Sequence, residues 1–311
     1  MSILVCKRYV PLNLISIPGC LHHSRFFSIS STNPLLRSTR LVVSAAAETL
    51  PTPDLGSTTL TSHHQHTPLV HALSPSQKHQ ISLYISTLLE WNQKLNLTAV
   101  KEEDEVMTRH IEDSLAILPP ICRSYRREDR DATMNFGSSS CAEKLRLIDV
   151  GTGAGLPGLI FAIACPEWEI TLLESLNKRC LFLEHAVNLL GLSNVQILCN
   201  RAEIVGQKQE YREVFDIAVA RAVAEMRVLA EYCLPFVRVG GLFVAAKGHD
   251  PKEEIRNAKK SIHLLGASIS ESCSVESHSP HGQRSAIICL KNRITPRKYP
   301  RQPGTPSKSP L

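Results

Sequence analysis

The chain has 311 residues, of which 43% are hydrophobic and 21% charged, so it can bury one good-sized core and still carry tails. No stretch approaches the roughly 18 uncharged apolar residues of a membrane-spanning helix, so we expect no transmembrane helix. The net charge of +6 favours a polyanionic partner only mildly. The ten cysteines show no CxxC pair and no metal-ligand spacing, so we expect free thiols in a reducing compartment and no metal site.

Residues 1–73 have the composition of an organelle transit peptide rather than that of a folded domain. They contain only two acidic residues, Glu48 and Asp54, against five basic ones, and they are rich in serine and threonine. A disordered tail without an address is the alternative. Because serine dominates over arginine, we expect a chloroplast address, with the mitochondrion as the alternative.

Residues 74–122 are predicted to form a helical extension that precedes the main domain. The segment Ser74–Gln77 fits a capping box with a proline in the first turn, and apolar residues follow at helical spacing. A second helix is expected from about 102 to 118, where Pro119 and Pro120 would end it. The polar residues 123–144 predict a loop or an insertion.

From residue 145 to residue 292, short apolar runs alternate with helical stretches. The predicted strands lie near residues 145–150, 169–173, 195–199, 215–220, 241–246, 269–275 and 285–290. This alternation predicts an α/β fold with a doubly wound, mostly parallel sheet of seven strands, whose ligands bind at the carboxyl ends of the strands. The two closing strands resemble those of the class I (Rossmann-like) methyltransferase sheet.

The first predicted strand runs into a glycine-rich turn, with glycines at positions 151, 153, 155 and 158. Residues without a Cβ let the backbone turn tightly and approach a ligand closely. The spacing also fits the dinucleotide fingerprint, so a nicotinamide-dependent oxidoreductase is an alternative. Asp149 favours the cationic S-adenosylmethionine, because a carboxylate there would repel a pyrophosphate. We therefore predict a methyltransferase.

Further candidates stand at the ends of the later strands. Glu174 ends the second strand, where a carboxylate can accept hydrogen bonds from ribose hydroxyls. Ala202 and Glu203 follow the third strand, where a backbone amide and a carboxylate can reach the edge of an adenine. Arg221 ends the fourth strand and Lys247 the fifth, where a cation can face the cleft or a phosphate. For each, a capped turn or a surface salt bridge is the structural alternative.

Two other segments bear on the substrate. Residues 291–311 contain six basic residues and no acidic one, so the proline-rich tail 293–311 predicts an extended arm along a phosphate backbone, or else a disordered tail. Upstream, Asn96, Arg109 and His110 are candidates for the substrate side, although each residue type is more often solvated or capping than functional.

Several sequence blocks occur in one order over residues 76–311. They are Trp91–Thr98, Arg109–Leu115, Asp149–Gly158, Leu172–Arg179, Asn200–Glu203, Ala220–Ala222, Lys247-Gly248 and Lys298–Arg301. Together they resemble the bacterial small-subunit rRNA guanine-N7 methyltransferase G family, also known as the glucose-inhibited division protein B family. A methyltransferase for another RNA, a protein or a small molecule, and a non-catalytic rRNA-binding or assembly factor, are the alternatives.

The resemblance implies methylation of N7 of a guanine in 16S rRNA, at position 527 in bacterial rRNA numbering, with S-adenosylmethionine as the donor. It also implies a ribosomal RNA or small-subunit partner, and we expect a monomer without a metal. The block around Arg109 and His110 would line the RNA side of the cleft. The cofactor contacts that it implies come from Gly151, Gly153, Leu156, Glu174, Ala202, Glu203 and Arg221.

Overall fold

The computed structural model describes residues 69–126, 144–221, 224–248, 250–275 and 284–311. A seven-stranded sheet of order β3-β2-β1-β4-β5-β7-β6 forms its centre. Strand β7 is antiparallel to β5 and β6, and the other pairings are parallel. The predicted α/β architecture is therefore confirmed. The strands are β1 (Arg146–Val150), β2 (Glu169–Glu174), β3 (Val195–Cys199), β4 (Phe215–Arg221), β5 (Val237–Lys247), β6 (Ala267–Val275) and β7 (Arg284–Lys291).

Helices cover both faces of this sheet. They are α1 (Pro75–Leu95), α2 (Glu103–Val106), α3 (Asp113–Leu115), α4 (Leu118–Arg126), α5 (Gly158–Ala164), α6 (Asn177–Leu190), α7 (Ala202–Val205), α8 (Met226–Cys233), α9 (Lys252–Leu264) and α10 (Thr305–Lys308), with a 3₁₀ turn at Leu69–Ala72 and a π-helix at Met107–Glu112. Successive strand residues such as Leu147 and Ile148 enter different hydrophobic clusters, one with α1, α5 and α6 and one with α8 and α9. This alternation is the expected result of burying a strand on both faces.

The amide of Gln77 ties the helical extension to the sheet domain. It accepts a hydrogen bond from the Ser74 N–H (2.9 Å), while the Ser74 hydroxyl accepts one from the Gln77 N–H (3.3 Å). The predicted capping box is therefore confirmed. The Gln77 Nε2 also donates to the carbonyl of Ile163 (2.7 Å), near the end of α5. One side chain thus caps the start of α1 and satisfies a carbonyl at the end of α5.

The predicted helix over 102–118 is confirmed for residues 103–115, where α2, the π-helix and α3 follow one another without a gap. Its predicted end is wrong. Pro119 and Pro120 open α4 instead of ending a helix. Proline suits the first turn, where an N–H would have no partner within the helix. Residues 123–126 are consequently helical and do not belong to the predicted loop 123–144, most of which lies outside the described residues.

Two further boundaries differ from their predictions. The sequence between the fourth and fifth predicted strands favours a helix to about Val237, but α8 ends at Cys233, because Pro235 is incompatible with another helical turn. Strand β5 accordingly begins at Val237 rather than at 241.

Ordered backbone also begins before Ser74, where the amides of Leu69 and Val70 donate to the Glu112 carboxylate (3.0 and 3.3 Å).

The carboxyl-terminal tail is not the extended arm that its composition predicts. Tyr299 and Pro300 are buried against the domain, and α10 follows them. The Lys291 ammonium is fully buried and donates to the Glu213 carboxylate (3.0 Å). Burial lowers the pKa of Lys291 to about 8, against the opposing effect of Glu213. The positive charge of Lys291 is therefore paired inside the fold and is not available to an RNA backbone.

The seven cysteines in the described ranges are free thiols. Burial raises the pKa of Cys289 to about 12, so this thiol stays protonated. Across the same ranges, no group of three or more His, Cys, Asp or Glu side chains is arranged to hold a metal ion. None of the described helices combines the length and apolar character needed to cross a membrane.

Candidate active site

The Asp149 carboxylate holds the glycine-rich turn together from inside. It is fully buried, and its Oδ2 accepts hydrogen bonds from the Thr152 hydroxyl (2.6 Å) and the Gly158 N–H (2.8 Å). A Cβ on Gly158 would lie 2.4 Å from the Leu172 side chain, so this glycine is required for packing. The Asp149 Oδ1 is buried without a hydrogen-bond partner. Only this second oxygen is available for the predicted cationic ligand.

The electrostatic environment of Asp149 opposes its ionisation. Burial raises its pKa to about 6, although the hydrogen bonds from Thr152 and Gly158 and the charge of Arg221 favour the anion. A buried anion of this kind is costly without a cation to balance it. A cationic ligand beside Oδ1 would relieve that cost.

The remaining glycines of the turn serve two different purposes. Gly151, Gly153 and Gly155 all have positive φ angles, of 72°, 62° and 88°. A Cβ on Gly153 would meet nothing within 4 Å, whereas one on Gly155 would lie 2.3 Å from Leu159. Gly153 therefore borders open space that a ligand can occupy. Leu156, another predicted cofactor contact, has its side chain in the hydrophobic core, and its contact stays a prediction.

The Glu174 carboxylate joins the ends of β1 and β2 at the same edge of the sheet. It accepts hydrogen bonds from the N–H groups of Gly153 (3.0 Å), Ser175 (2.7 Å) and Leu176 (2.9 Å), and Arg179 lies 3.5 Å away. The Ser175 hydroxyl (3.4 Å) takes the fourth of about four acceptor positions on the ionised carboxylate, so a ribose hydroxyl would have to replace this long contact. Glu174 thus lies beside the glycine turn, and its contact with a ribose stays a prediction.

The third predicted cofactor segment is engaged with the tail. Ala202 begins α7, and the Glu203 carboxylate accepts hydrogen bonds from Arg201 (3.0 Å) and from the Gly304 N–H (2.9 Å). Sequence reasoning did not foresee the second contact, because Gly304 lies about a hundred residues further along. Contacts from Ala202 and Glu203 to an adenine stay predictions.

Tyr84 is a site residue that sequence reasoning treated only as part of an apolar helix face. Its buried hydroxyl donates to the carbonyl of Ala154 (2.8 Å), in the middle of the glycine turn. Burial holds the pKa of Tyr84 well above its usual value, although Arg221 acts in the opposite direction. A tyrosine in an apolar stripe usually finds a partner for its hydroxyl, which was the available signal.

A pocket of about 200 Å³ lies at the carboxyl ends of β4 and β5. It brings together four residues predicted from separate parts of the sequence, Arg109, His110, Arg221 and Lys247. Arg284, which sequence reasoning missed, also lines it and forms an ion pair with Asp113 (3.1 Å). The remaining lining residues are Asp113, Ile117, Ala246, Gly248, Val275 and Ser285.

Arg221 connects this pocket to the glycine turn. Its Nη1 lies 3.4 Å from the His110 carbonyl and from the Ser114 hydroxyl, and donates to both. Burial lowers its pKa, which the neighbouring Tyr84 and Asp149 act to raise. A guanidinium stays protonated in proteins, so Arg221 places a positive charge between the turn and the pocket.

Arg109 and His110 lie on the π-helix, an irregularity that is frequent at functional sites. The His110 Nδ1 donates to the carbonyl of Arg109 (3.0 Å), so its Nε2 accepts from the Thr98 hydroxyl (2.7 Å). Burial, reinforced by Arg221, lowers the pKa of His110 to about 4. The ring is therefore neutral. The Arg109 Nε is buried without a hydrogen-bond partner, and Glu105 lies 3.7 Å from its guanidinium.

The other two substrate-side candidates are placed differently. Lys247 donates to the Glu254 carboxylate (2.5 Å) and to the Ala224 carbonyl, so its charge is balanced within the fold rather than left for a phosphate. Asn96 is exposed, adopts the left-handed conformation (φ 50°) and ends α1. It does not line the pocket among the described residues, and its place on the substrate side stays a prediction.

Comparison with known proteins assigns this arrangement to a family. The profile described as "rRNA small subunit methyltransferase G" matches residues 77–283. The chain belongs to this family. The ribosomal RNA small subunit methyltransferase G of Alkaliphilus metalliredigens (strain QYMF) is 44% identical over 239 residues, which cover 77% of this chain and 92% of that protein. Its counterpart from Alkaliphilus oremlandii (strain OhILAs) is 43% identical, with the same coverage.

Similar solved structures include M. jannaschii TYW2 in complex with AdoMet and a SAM dependent methyltransferase from Aquifex aeolicus. Their TM-scores are 0.41 and 0.38, each at 14% sequence identity. They cover 56% and 48% of this chain, and 76% and 84% of their own chains. Similarity at this level carries no argument about the site.

As a member of this family, the chain is an S-adenosylmethionine-dependent rRNA methyltransferase. The turn has two features that fit this donor. The space beside Gly153 would be filled by any Cβ, and the Asp149 Oδ1 is a buried acceptor without a partner. Gly153 lies beside Glu174 at the end of β2, where its N–H donates to the Glu174 carboxylate (3.0 Å).

Proposed function

We propose that this enzyme methylates N7 of a guanine in small-subunit rRNA, the guanine at position 527 in bacterial rRNA numbering. One observation carries the proposal beyond the family. The pocket beside the glycine turn is lined by Arg109, Arg221 and Arg284, of which Arg284 is paired with Asp113. Arginine pairs well with phosphates and can donate a hydrogen bond to the O6 of guanine. N7 itself has to stay free of a donor, because its lone pair attacks the methyl group. A pocket of this composition therefore suits a guanine nucleotide within an RNA chain.

The chemistry of N7 also suits the pocket. Guanine N7 has a lone pair and no proton, so its methylation needs no general base. His110 supplies none, because both its ring nitrogens are engaged and its pKa is about 4. When bound, S-adenosylmethionine supplies the electrophilic methyl group. The protein then has to hold N7 in line with it, and such positioning is worth on the order of several kcal/mol.

We propose that the donor lies along the open face of Gly151 and Gly153, with Glu174 accepting from its ribose and Asp149 Oδ1 facing its positive charge. The open Gly153 face and the unpartnered oxygen support this placement. The substitution Gly153→Asp fills the space and adds a second carboxylate. Binding of radiolabelled S-adenosylmethionine should then be lost, and unchanged binding would contradict the placement.

The reaction is tested by mapping small-subunit rRNA from a line that lacks this gene. We expect one guanine to lose its N7 methyl group, detected by mass spectrometry or primer extension. The full chain should restore the modification, and the Gly153→Asp variant should not. Retained N7 methylation at that guanine in the knockout would overturn the proposal.

Arg109 offers a separate test of the RNA side, because its buried Nε has no hydrogen-bond partner. Arg109→Ala should weaken binding of a small-subunit rRNA fragment by about tenfold, the loss expected for one good arginine contact. Affinity for S-adenosylmethionine should stay unchanged. Lys259→Ala removes one cation from the exposed surface of α9 and serves as the matched control. An equal loss of RNA affinity in both variants would show that Arg109 contributes only through its net charge and makes no specific contact.

We also propose that residues 1–73 address the protein to the chloroplast. The support is their basic, hydroxyl-rich and acid-poor composition. A fusion of residues 1–73 to a fluorescent protein should accumulate in plastids. Accumulation in mitochondria would favour the alternative organelle, and a diffuse signal would contradict an organelle address.

A further inference from the structure

The residues Tyr299–Gly304, here called the strap, lie across α7 and the turn that follows it, residues 206–212. The Gln207 Nε2 donates to the Pro300 carbonyl (2.6 Å). The Arg212 guanidinium donates to the carbonyls of Gly206 and of the first strap residue, both at 2.8 Å. A Cβ on Gly206 would lie 3.0 Å from the Pro300 ring. The strap and the turn are therefore in close backbone contact and share one guanidinium.

Arg301 fastens the strap to α8. Its guanidinium makes a bidentate pair with the Glu231 carboxylate, with Nε–Oε1 at 2.9 Å and Nη2–Oε2 at 2.7 Å. The backbone N–H of Arg301 donates to the same carboxylate (2.8 Å). The Glu231 side chain is fully buried, while that of Arg301 is 25% exposed. A buried carboxylate needs such a partner, so Arg301 points into the fold rather than towards a ligand.

Gly304 ends the strap on the proposed adenine side of the cofactor site. With a φ of 81°, it donates its N–H to the Glu203 Oε1 (2.9 Å). Burial acts to raise the pKa of Glu203, but the hydrogen bonds from Arg201 and from Gly304 outweigh it and hold that pKa below its usual value. The strap therefore keeps the Glu203 carboxylate ionised and fixed at the start of α7.

We propose that the strap positions the segment Ala202–Gly206 for the cofactor, with Arg301 and Gly304 as its positioning residues. This inference rests on the proposed function and on the predicted contacts of Ala202 and Glu203 with the adenine of the cofactor. A turn held at both ends needs no further ordering when the ligand binds, whereas a free turn must be ordered at the expense of affinity. The strap thus gives the tail a role on the donor side of the site.

Two of the six cations in residues 291–311 are used inside the fold, since Lys291 is fully buried and Arg301 is paired with Glu231. The other four, Arg293, Arg297, Lys298 and Lys308, are exposed. The exposed cation Lys308 stands on α10 and has no side-chain partner among the described contacts. If the tail acted as an electrostatic arm, Lys308 and Arg301 would contribute equally to RNA binding. If it acts as a strap, Arg301 contributes to cofactor binding and Lys308 does not.

The test compares Arg301→Ala with Lys308→Ala, each of which removes one tail cation from the full chain. We expect Arg301→Ala to raise the Kd for S-adenosylmethionine by about tenfold in calorimetry, because the released turn must be ordered on binding. Lys308→Ala should leave it unchanged. In methylation assays, the KM for S-adenosylmethionine should rise in Arg301→Ala while the KM for RNA stays constant. Arg301→Lys should restore only part of the affinity, since an ammonium cannot make the bidentate pair.

A second variant separates positioning from folding. Gln207 is exposed, so Gln207→Ala removes its hydrogen bond to Pro300 without uncovering a buried charge. We expect a rise of about threefold in the Kd for S-adenosylmethionine, in line with the loss of one net hydrogen bond, and an unchanged melting temperature. An unchanged Kd in folded Arg301→Ala and in Gln207→Ala would overturn the inference, as would an equal rise in the KM for RNA.

Glu174→Gln distinguishes failure of the strap from failure of the cofactor placement. A weakened Kd in Glu174→Gln, with unchanged values in Arg301→Ala and Gln207→Ala, would refute the strap alone. An unchanged Kd in Glu174→Gln would refute the placement, and the strap inference would fall with it.

Discussion

The substitution Asp149→Asn should make the cofactor-free protein more stable at neutral and alkaline pH while it weakens binding of the donor. The wild-type carboxylate is fully buried, and its Oδ1 has no hydrogen-bond partner. An asparagine keeps an oxygen for the Thr152 and Gly158 hydrogen bonds but brings no charge into the core. The substitution therefore removes the energetic cost of the buried charge. It also removes the electrostatic attraction between that charge and a cationic ligand.

The size of the effect follows from the pKa of Asp149, which burial raises from its ordinary value of 3.8 to about 6. Each tenfold change in acid dissociation is worth about 1.4 kcal/mol, so ionisation costs the folded protein about 3 kcal/mol relative to the unfolded chain. The folded state binds the proton more tightly. The stability from this group is therefore complete below pH 4 and is lost as the pH rises through 6.

Denaturant unfolding of both proteins without cofactor, at steps from pH 4 to pH 8, measures this directly. The two free energies of unfolding should nearly agree at pH 4, and the variant should exceed the wild type by about 3 kcal/mol at pH 8. Glu169→Gln is the control of opposite sign, because its hydrogen bond to Lys144 lowers the pKa of Glu169. That variant should lose stability at high pH and none at low pH. A difference for Asp149→Asn that does not change with pH would refute the reasoning.

Three further predictions concern the same site. Tyr84→Phe leaves the Ala154 carbonyl without its donor and should lower the free energy of unfolding by about 1–2 kcal/mol in urea denaturation. Gly158→Ala places a methyl group 2.4 Å from a leucine side chain and should cost about 1–3 kcal/mol, whereas Gly153→Ala should cost only about 1 kcal/mol for its positive φ and chiefly lose cofactor affinity. Because the His110 ring is neutral above its pKa of about 4, the pH profile of methylation from pH 6 to pH 9 should keep its shape in His110→Asn.

Most of the fold could be predicted because burial imposes a period on the sequence. The seven apolar runs from Leu145 onward correspond to the strands, and the capping box at Ser74 marks the start of α1. The predictions of helix ends failed at prolines, because a proline can either begin a helix or end one. Pro119 opens a helix, whereas Pro235 prevents one from continuing, and the difference depends on which neighbouring amides already have partners.

The candidate site shows the same division between local and distant information. The glycine turn and Glu174 could be predicted because their roles depend on backbone conformation within a few residues. The contact of Tyr84 with Ala154, and the ion pair of Arg284 with Asp113, join residues that are 70 and 171 positions apart. No local pattern encodes such pairs.

The sequence alone determined the sheet, the glycine turn, its cofactor and the RNA family, since hydrophobic period and turn chemistry are local properties. The tertiary structure decided how the charges are used. It paired Lys247 with Glu254, neutralised His110, and turned Arg301 inward to Glu231, so that a tail which resembles an RNA arm packs as a strap. The physical reason is that the energy of a charge depends on its solvation and its neighbours, and folding brings those neighbours from distant parts of the chain.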